Sequence, residues 1–133
     1  MSTQTLAQRR ARRALSCIQE HEKAGKDIYK NYVSYVETLP ATILMNGLGQ
    51  ACATLLAKAD GKSEAPHGLL YADLQSWLCG DDPAAPYPKA GDLMEAIIRH
   101  DQTTYLRAQA ESLAYLVWLK KFANAYLERG TPE

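Results

Sequence analysis

The stretch from about Thr104 to Arg129 constrains the fold more than any other. It keeps helical spacing along its length and stops at Gly130 and Pro132, residues that end helices. Between Leu113 and Leu127 it is apolar on nearly every face. Trp118, Phe122 and Tyr126 recur on one side, and Leu113, Val117 and Leu127 on another. A helix of this kind must be enclosed by other elements or must lend an apolar strip to a partner. Central burial is the expectation for most of it.

The preceding chain supplies helices to do the enclosing. Ser2 or Thr3 is placed to cap a first helix running to about Lys23, with Ala24-Gly25 ending it. Its inner face is Ala7, Ala11, Ala14, Leu15, Ile18 and His21, and Arg9, Arg12, Arg13 and Lys23 fall opposite. Asp27 is placed to cap a second helix, IYKNYVSYVETL. Pro40 disfavours helix at Leu39 and suits a first helical position, which predicts a third helix from Pro40 to about Ala59. ADGKSEAPHG (59–68) reads as a loop, and LLYADLQSWLCG (69–80) as a fourth helix stopped by Gly80. DDPAAPYPKAG (81–91) reads as an irregular connection, and Asp92 as the cap of a short fifth helix. No internal repeat and no convincing strand emerges. The expected fold is all-α, a compact single-domain bundle of about six helices spanning residues 1–133.

The third helix contains LMNGLGQACATLL (44–56), with two glycines inside an apolar run. A hairpin turn at Asn46-Gly47 would need alternating strands, and the residues after it do not alternate. A dinucleotide-binding loop needs a third glycine, where this chain has Cys52, and a βαβ setting. The segment therefore reads as helix, each interior glycine costing about 1 kcal/mol relative to alanine. Thr42, Asn46, Gly49, Gln50, Ala53 and Ala57 then form a stripe of small or polar groups. The stripe suits close helix packing, or the approach of another chain at Asn46, Gly49 and Gln50.

With 133 residues, 47% of them apolar and 23% charged, the chain is long enough for one core and too apolar to be disordered. Net charge is zero, but residues 1–30 are mainly basic and residues 60–112 mainly acidic, a polarity that suits docking or stacking. Cys17, Cys52 and Cys79 are odd in number and widely spaced, as for reduced thiols in a cytosol, so a cytoplasmic protein is expected. No run approaches a membrane span. The acid-free, arginine-rich start also has transit-peptide composition, although Leu15 and Ile18 carry it smoothly into the first helix.

Candidate chemistry is sparse. His100-Asp101 with His67 resembles part of a helical metal-dependent phosphohydrolase site, but such a site needs a later aspartate and none follows Asp101. Asp81-Asp82, flanked by prolines, looks like a solvated turn. Cys17 and His21 stand one helical turn apart, where a packed cysteine and a core histidine are the ordinary reading. No Gly-x-Ser-x-Gly occurs. No catalytic residue, metal site or cofactor is assigned, and the chain is not read as an enzyme. The basic residues are a stronger lead. Arg9, Arg10, Arg12 and Arg13 have no neighbouring carboxylate before Glu20 and suit contact with a phosphate backbone, with Lys23, Lys26, Lys120 and Lys121 as further candidates.

The segments YVSYVETLPATILMNGLGQA (32–51), LLYADLQSWL (69–78) and EAIIRHDQTTYLRAQAESLAYLVWLKKFANAYL (95–127) together resemble the small helical subunit of the type III-B CRISPR effector, the RNA-targeting Cmr complex. The resemblance covers almost the whole chain. Its most specific pieces are LP-x-x-I-x-x-NGLGQA and E-x-LAYL-x-WLK-x-FA, which include Pro40, Asn46, Gly47, Gly49 and Trp118. In the family an aromatic often follows the glycine helix, where this chain has Ala53-Thr54. The resemblance implies a non-catalytic subunit that stacks in copies of itself along the backbone subunits, beside the large subunit. There it would brace guide RNA and target RNA through sequence-independent contacts, with no membrane role. The competing class is a helical protein–protein adaptor without nucleic-acid binding, its arginines engaging an acidic partner.

Overall fold

The structure, a computed structural model, describes residues 3–127. Among them are helices α1 (Leu6–Ala24), α2 (Lys26–Tyr29), α3 (Tyr32–Asn46), α4 (Leu48–Ala59), α5 (Pro66–Leu78), α6 (Leu93–Arg99) and α7 (Gln102–Tyr126). The described residues contain no strand. With α2 a single turn, this is the all-α bundle of about six helices that the periodicity predicts.

Helix α7 is the central element, packing against α1, α3, α4 and α5. Ala108, Ser112, Tyr115, Leu116, Leu119 and Ala123 form its buried side at helical spacing. Enclosure is incomplete, because Leu106 and Val117 stay 56% and 50% exposed. The apolar segment thus serves both as core and as surface. Its expected stop at Gly130 and Pro132, and Ser2 as a cap, lie outside the described residues.

Helix α1 starts at Thr5, later than the sequence reading places it, because Gln8 completes a capping box there. The Gln8 N–H donates to Thr5 Oγ1 at 3.1 Å, and the Thr5 N–H donates to Gln8 Oε1 at 2.8 Å. Its buried residues are Ala14, Cys17, Ile18 and His21. His21 Nε2 donates to Asp73 of α5 at 2.6 Å, and the Tyr32 hydroxyl of α3 donates to the same carboxylate oxygen. Burial, then the charge of Asp73, holds the Tyr32 phenol well above its usual pKa.

The largest departure from the sequence reading lies between Tyr32 and Ala59. Pro40 does not start a helix; it sits in the middle of α3. An interior proline costs about 3 kcal/mol. Continuing the helix, however, keeps Val36, Leu39 and Ile43 in register on one buried face. The break comes instead at Gly47, with φ 91° and ψ 157°, a conformation essentially restricted to glycine. The Gly47 N–H closes α3 by donating to the Ile43 carbonyl at 2.7 Å.

Two side chains of α7 cap the start of α4. The Leu48 N–H donates to Gln109 Oε1 at 2.9 Å, and the Gly49 N–H to Tyr105 Oη at 3.0 Å. A Cβ at Gly47 would stand 2.9 Å from Tyr105 Oη, and one at Gly49 would touch Ile97 and Tyr105 at 3.6 Å. The glycines therefore serve close packing within the domain. Because the chain turns at Gly47, the expected small-residue stripe is not continuous: Asn46 and Gln50 are exposed on different helices, and Leu44 and Met45 point out at 69% and 81% exposure.

Residues 81–91 are the irregular connection expected, but they fold back over the bundle, so of the Asp81-Asp82 pair read as a solvated turn only Asp81 is exposed. Tyr87 is 1% exposed, its N–H donating to the Leu78 carbonyl at 3.0 Å. The Asp82 side chain is 13% exposed. Asp92 caps α6 as expected, accepting from the Glu95 N–H at 3.0 Å.

These contacts predict the effect of two alanine substitutions. Gly47→Ala should destabilise the fold by roughly 2–3 kcal/mol, from backbone strain plus displacement of Tyr105. Gly25→Ala, in a similar glycine-favouring conformation (φ 102°, ψ 159°) but with open space around it, should cost only the strain, roughly 1–2 kcal/mol. Urea unfolding midpoints of the two variants give the comparison directly.

Candidate nucleic-acid interface

The arginine-rich turns of α1 have distant carboxylates folded against them. Arg10 forms a two-pronged pair with Glu111 of α7, Nε to Oε2 at 2.5 Å and NH2 to Oε1 at 2.8 Å. Glu111 also accepts from Trp77 Nε1 of α5 at 2.8 Å. The hydrogen bond that Arg10 donates to Glu111 raises the Arg10 pKa further, against the effect of burial. Arg9 pairs with Asp82, Nε to Oδ2 at 2.8 Å and NH2 to Oδ1 at 3.4 Å, and its NH1 donates to the Gln4 carbonyl at 2.8 Å.

The expectation that these arginines lack compensating charge therefore fails for Arg9 and Arg10. Their partners stand 73 and 101 residues away in the chain, where local spacing carries no sign of them. The same pairs change the polarity argument. Asp73, Asp82 and Glu111 of the acidic segment turn inward onto His21, Arg9 and Arg10 of the basic one. The two sequence poles thus meet within one fold, and they supply less charge for stacking than the sequence suggests.

Arg12 and Arg13 remain exposed, Arg12 donating to the Gln4 side chain. With Arg9 they line one wall of a groove of about 700 Å³. The opposite side includes Gln75, Ser76, Trp77 and the Cys79–Asp82 turn, so two aspartates, Asp81 and Asp82, face three arginines. Burial raises the Asp82 pKa, but hydrogen bonds from Arg9 and the Ala84 N–H, with the charges of Arg9 and Arg10, more than offset it. The net effect is to lower it below the usual carboxylate value. Asp82 is therefore anionic at neutral pH.

The other basic candidates lie outside the groove. Lys23 is exposed and 3.9 Å from Glu20, Lys26 opens α2, and Lys120 and Lys121 are exposed near the end of α7. Of the motif residues, Asn46 is exposed and Pro40 half-buried. Trp118 begins an aromatic ladder along α7, 5.8 Å from Phe122, which lies 6.2 Å from Tyr126. What sequence reasoning missed is the role of Glu111. It is the only carboxylate in α7 and opens the E-x-LAYL motif, and a lone acid beside an apolar run was the available signal that cations converge there.

The residues weighed for hydrolysis have other partners. His67 stacks on Tyr35 at 3.8 Å, His100 Nδ1 donates to the Ala96 carbonyl at 2.9 Å, and Asp101 caps α7. Among the described residues no three His, Cys, Asp or Glu side chains gather to hold a metal ion. Nor is any described helix long and apolar enough to cross a membrane. The three cysteines are free and buried. Burial, chiefly, pushes the thiols of Cys17 and Cys79 up to about 11 and that of Cys52 to about 12.

Buried pairs and buried thiols each have a measurable consequence. Arg10→Ala strands the Glu111 carboxylate and should cost about 3 kcal/mol in urea unfolding, whereas Arg13→Ala should stay within about 0.5 kcal/mol of wild type. A thiol-reactive dye at pH 8 should label none of the cysteines of the native protein within minutes, and all of them after unfolding in guanidinium.

Residues 6–126 match the CRISPR-associated protein family Cas_Cmr5. The crystal structure of a CRISPR-associated Cmr5 family protein from Thermus thermophilus is similar over 94% of this chain and 100% of that one, at 30% identity and a TM-score of 0.72. The glycine joint, the E-x-LAYL helix and the bundle built on them are thus features of a chain that belongs to the Cas_Cmr5 family, the small subunit of the CRISPR Cmr complex.

Proposed function

We propose that this chain is a non-catalytic, cytoplasmic subunit of a type III-B effector. In that role it lies along the backbone subunits in stacked copies and steadies guide RNA and target RNA through phosphate and sugar contacts. The observation that carries the RNA part is the pair Arg12 and Arg13, outward-facing on the wall of a concave groove and without a carboxylate partner among the described contacts. Two adjacent guanidinium groups on one helix suit successive phosphates and read no base. Stacking is supported by family membership and by exposed apolar side chains, Leu44, Met45 and Ile98 at 69%, 81% and 76%, more than by charge. Those same side chains favour the adaptor as the second reading, with protein contacts only.

The structure narrows the set of variants that test RNA contact cleanly. Arg9→Glu would set a second carboxylate against Asp82, so the informative variant is Arg12→Glu with Arg13→Glu. It should keep wild-type helicity and melting temperature. Guide and target RNA retained by the purified complex should fall at least about tenfold in roughly 0.15 M salt, with a shallower dependence of log K on log[salt]. Unchanged RNA retention, with copurification of the other subunits intact, would leave the adaptor.

A further inference from the structure

We infer that Asp82 is a tethered stand-in for phosphate, held on Arg9 in the absence of RNA and exchanged for a backbone phosphate when a strand enters the groove. This rests on the groove holding RNA, as proposed above. The two pairs on α1 differ in a way that matters here. Arg10 and Glu111 are 19% and 10% exposed and share Trp77, so their bond belongs to the core. Arg9 is 31% exposed and lines the groove beside Arg12 and Arg13, so an incoming anion can reach its fork. The carboxylate of Asp82 takes the position that two phosphate oxygens would take, with Nε on one oxygen and NH2 on the other.

What holds Asp82 there is independent of Arg9. Asp82 Oδ1 accepts from the Ala84 N–H at 2.9 Å, and the Asp82 carbonyl accepts from the Ala85 N–H at 2.9 Å. These bonds fix a tight turn that presents the carboxylate to the groove whether or not Arg9 is present. A tethered group has a high effective concentration, so a lone phosphate ion at millimolar levels competes poorly for Arg9. A strand already engaged at Arg12 and Arg13 is itself tethered. Its next phosphate meets Arg9 on comparable terms, and the exchange is close to balanced. The arrangement favours a polyanionic strand over mononucleotides and lowers the affinity for RNA below what three free arginines would give.

The test is binding of the full chain to a labelled single-stranded RNA, titrated with salt, for wild type, Asp82→Asn, Arg9→Gln and the double variant. Asn keeps an acceptor for the Ala84 N–H while removing the charge. Asp82→Ser, whose hydroxyl also accepts, stands in should the Asn variant lose its helical circular dichroism. Asp82→Asn should bind RNA about three- to tenfold more tightly than wild type and steepen the slope of log K against log[salt] by about 0.7, one additional phosphate. In the Arg9→Gln background the same substitution should give no more than about a twofold gain, because the freed guanidinium is then missing. Equal or weaker binding by folded Asp82→Asn overturns the exchange, as does an equal gain in both backgrounds, which would mark a general charge effect. Loss of binding in Arg12→Glu/Arg13→Glu alongside either result would leave the RNA role standing. Absence of RNA binding by every variant would remove both.

Discussion

Glu111 holds the bundle in register. It is the only carboxylate of α7, it is buried, and it accepts three hydrogen bonds: two from Arg10 of α1 and one from Trp77 of α5. A buried carboxylate without partners is costly, and three well-aimed donors offset that cost at one rotation of the three helices. Trp77 is fixed further by stacking on Tyr115 at 5.8 Å. Asp73 of α5 plays the complementary part, accepting from His21 of α1 and Tyr32 of α3. Apolar burial drives the collapse, but it is non-directional and tolerates small rotations of a helix. The two carboxylates do not, because their donors must arrive at hydrogen-bond distance.

The same helix supplies the platform for the glycine joint. Tyr105 and Gln109 reach the first turn of α4 and satisfy N–H groups that a helix start otherwise leaves open. That contact needs the backbone to come close, which is why Gly47 and Gly49 lack side chains there. The NGLGQA segment that carries the family resemblance is accordingly a packing device in this chain. Its conformation depends on α7, about sixty residues later in the chain.

Internal pairing decides what the surface offers. The chain has no net charge, yet Asp73, Asp82 and Glu111 are committed to contacts inside the fold. Asp82 and Glu111 each take an arginine with them, so pairing leaves the balance of charge nearly unchanged and decides where the remaining cations stand. On α1 the effect is to divide four neighbouring candidates into two that organise the bundle and its edge, Arg10 and Arg9, and two that face solvent, Arg12 and Arg13. Surface ion pairs are weak, so the exposed pair of lysines on α7 contributes field more than structure.

The helical class, the position of α1, α5 and α6 to within a few residues, the cap at Asp92, and the family itself are all legible in the sequence. Each rests on local periodicity, on a capping residue or on a long specific motif, and none needs a distant partner to be recognised. Three things were decided only by tertiary contact. The chain turns at Gly47 and not at Pro40, because burying Val36, Leu39 and Ile43 on one face outweighs a local proline penalty. The irregular 81–91 connection is folded down through Tyr87 and Asp82, although Asp81-Asp82 reads locally as a solvated turn. The arginines of α1 divide by function, because an ion pair adds no loop-closure cost once the fold has already brought residues 73 and 101 positions apart into contact. Local spacing determines which elements form, and only the packed bundle determines which charges remain for a partner.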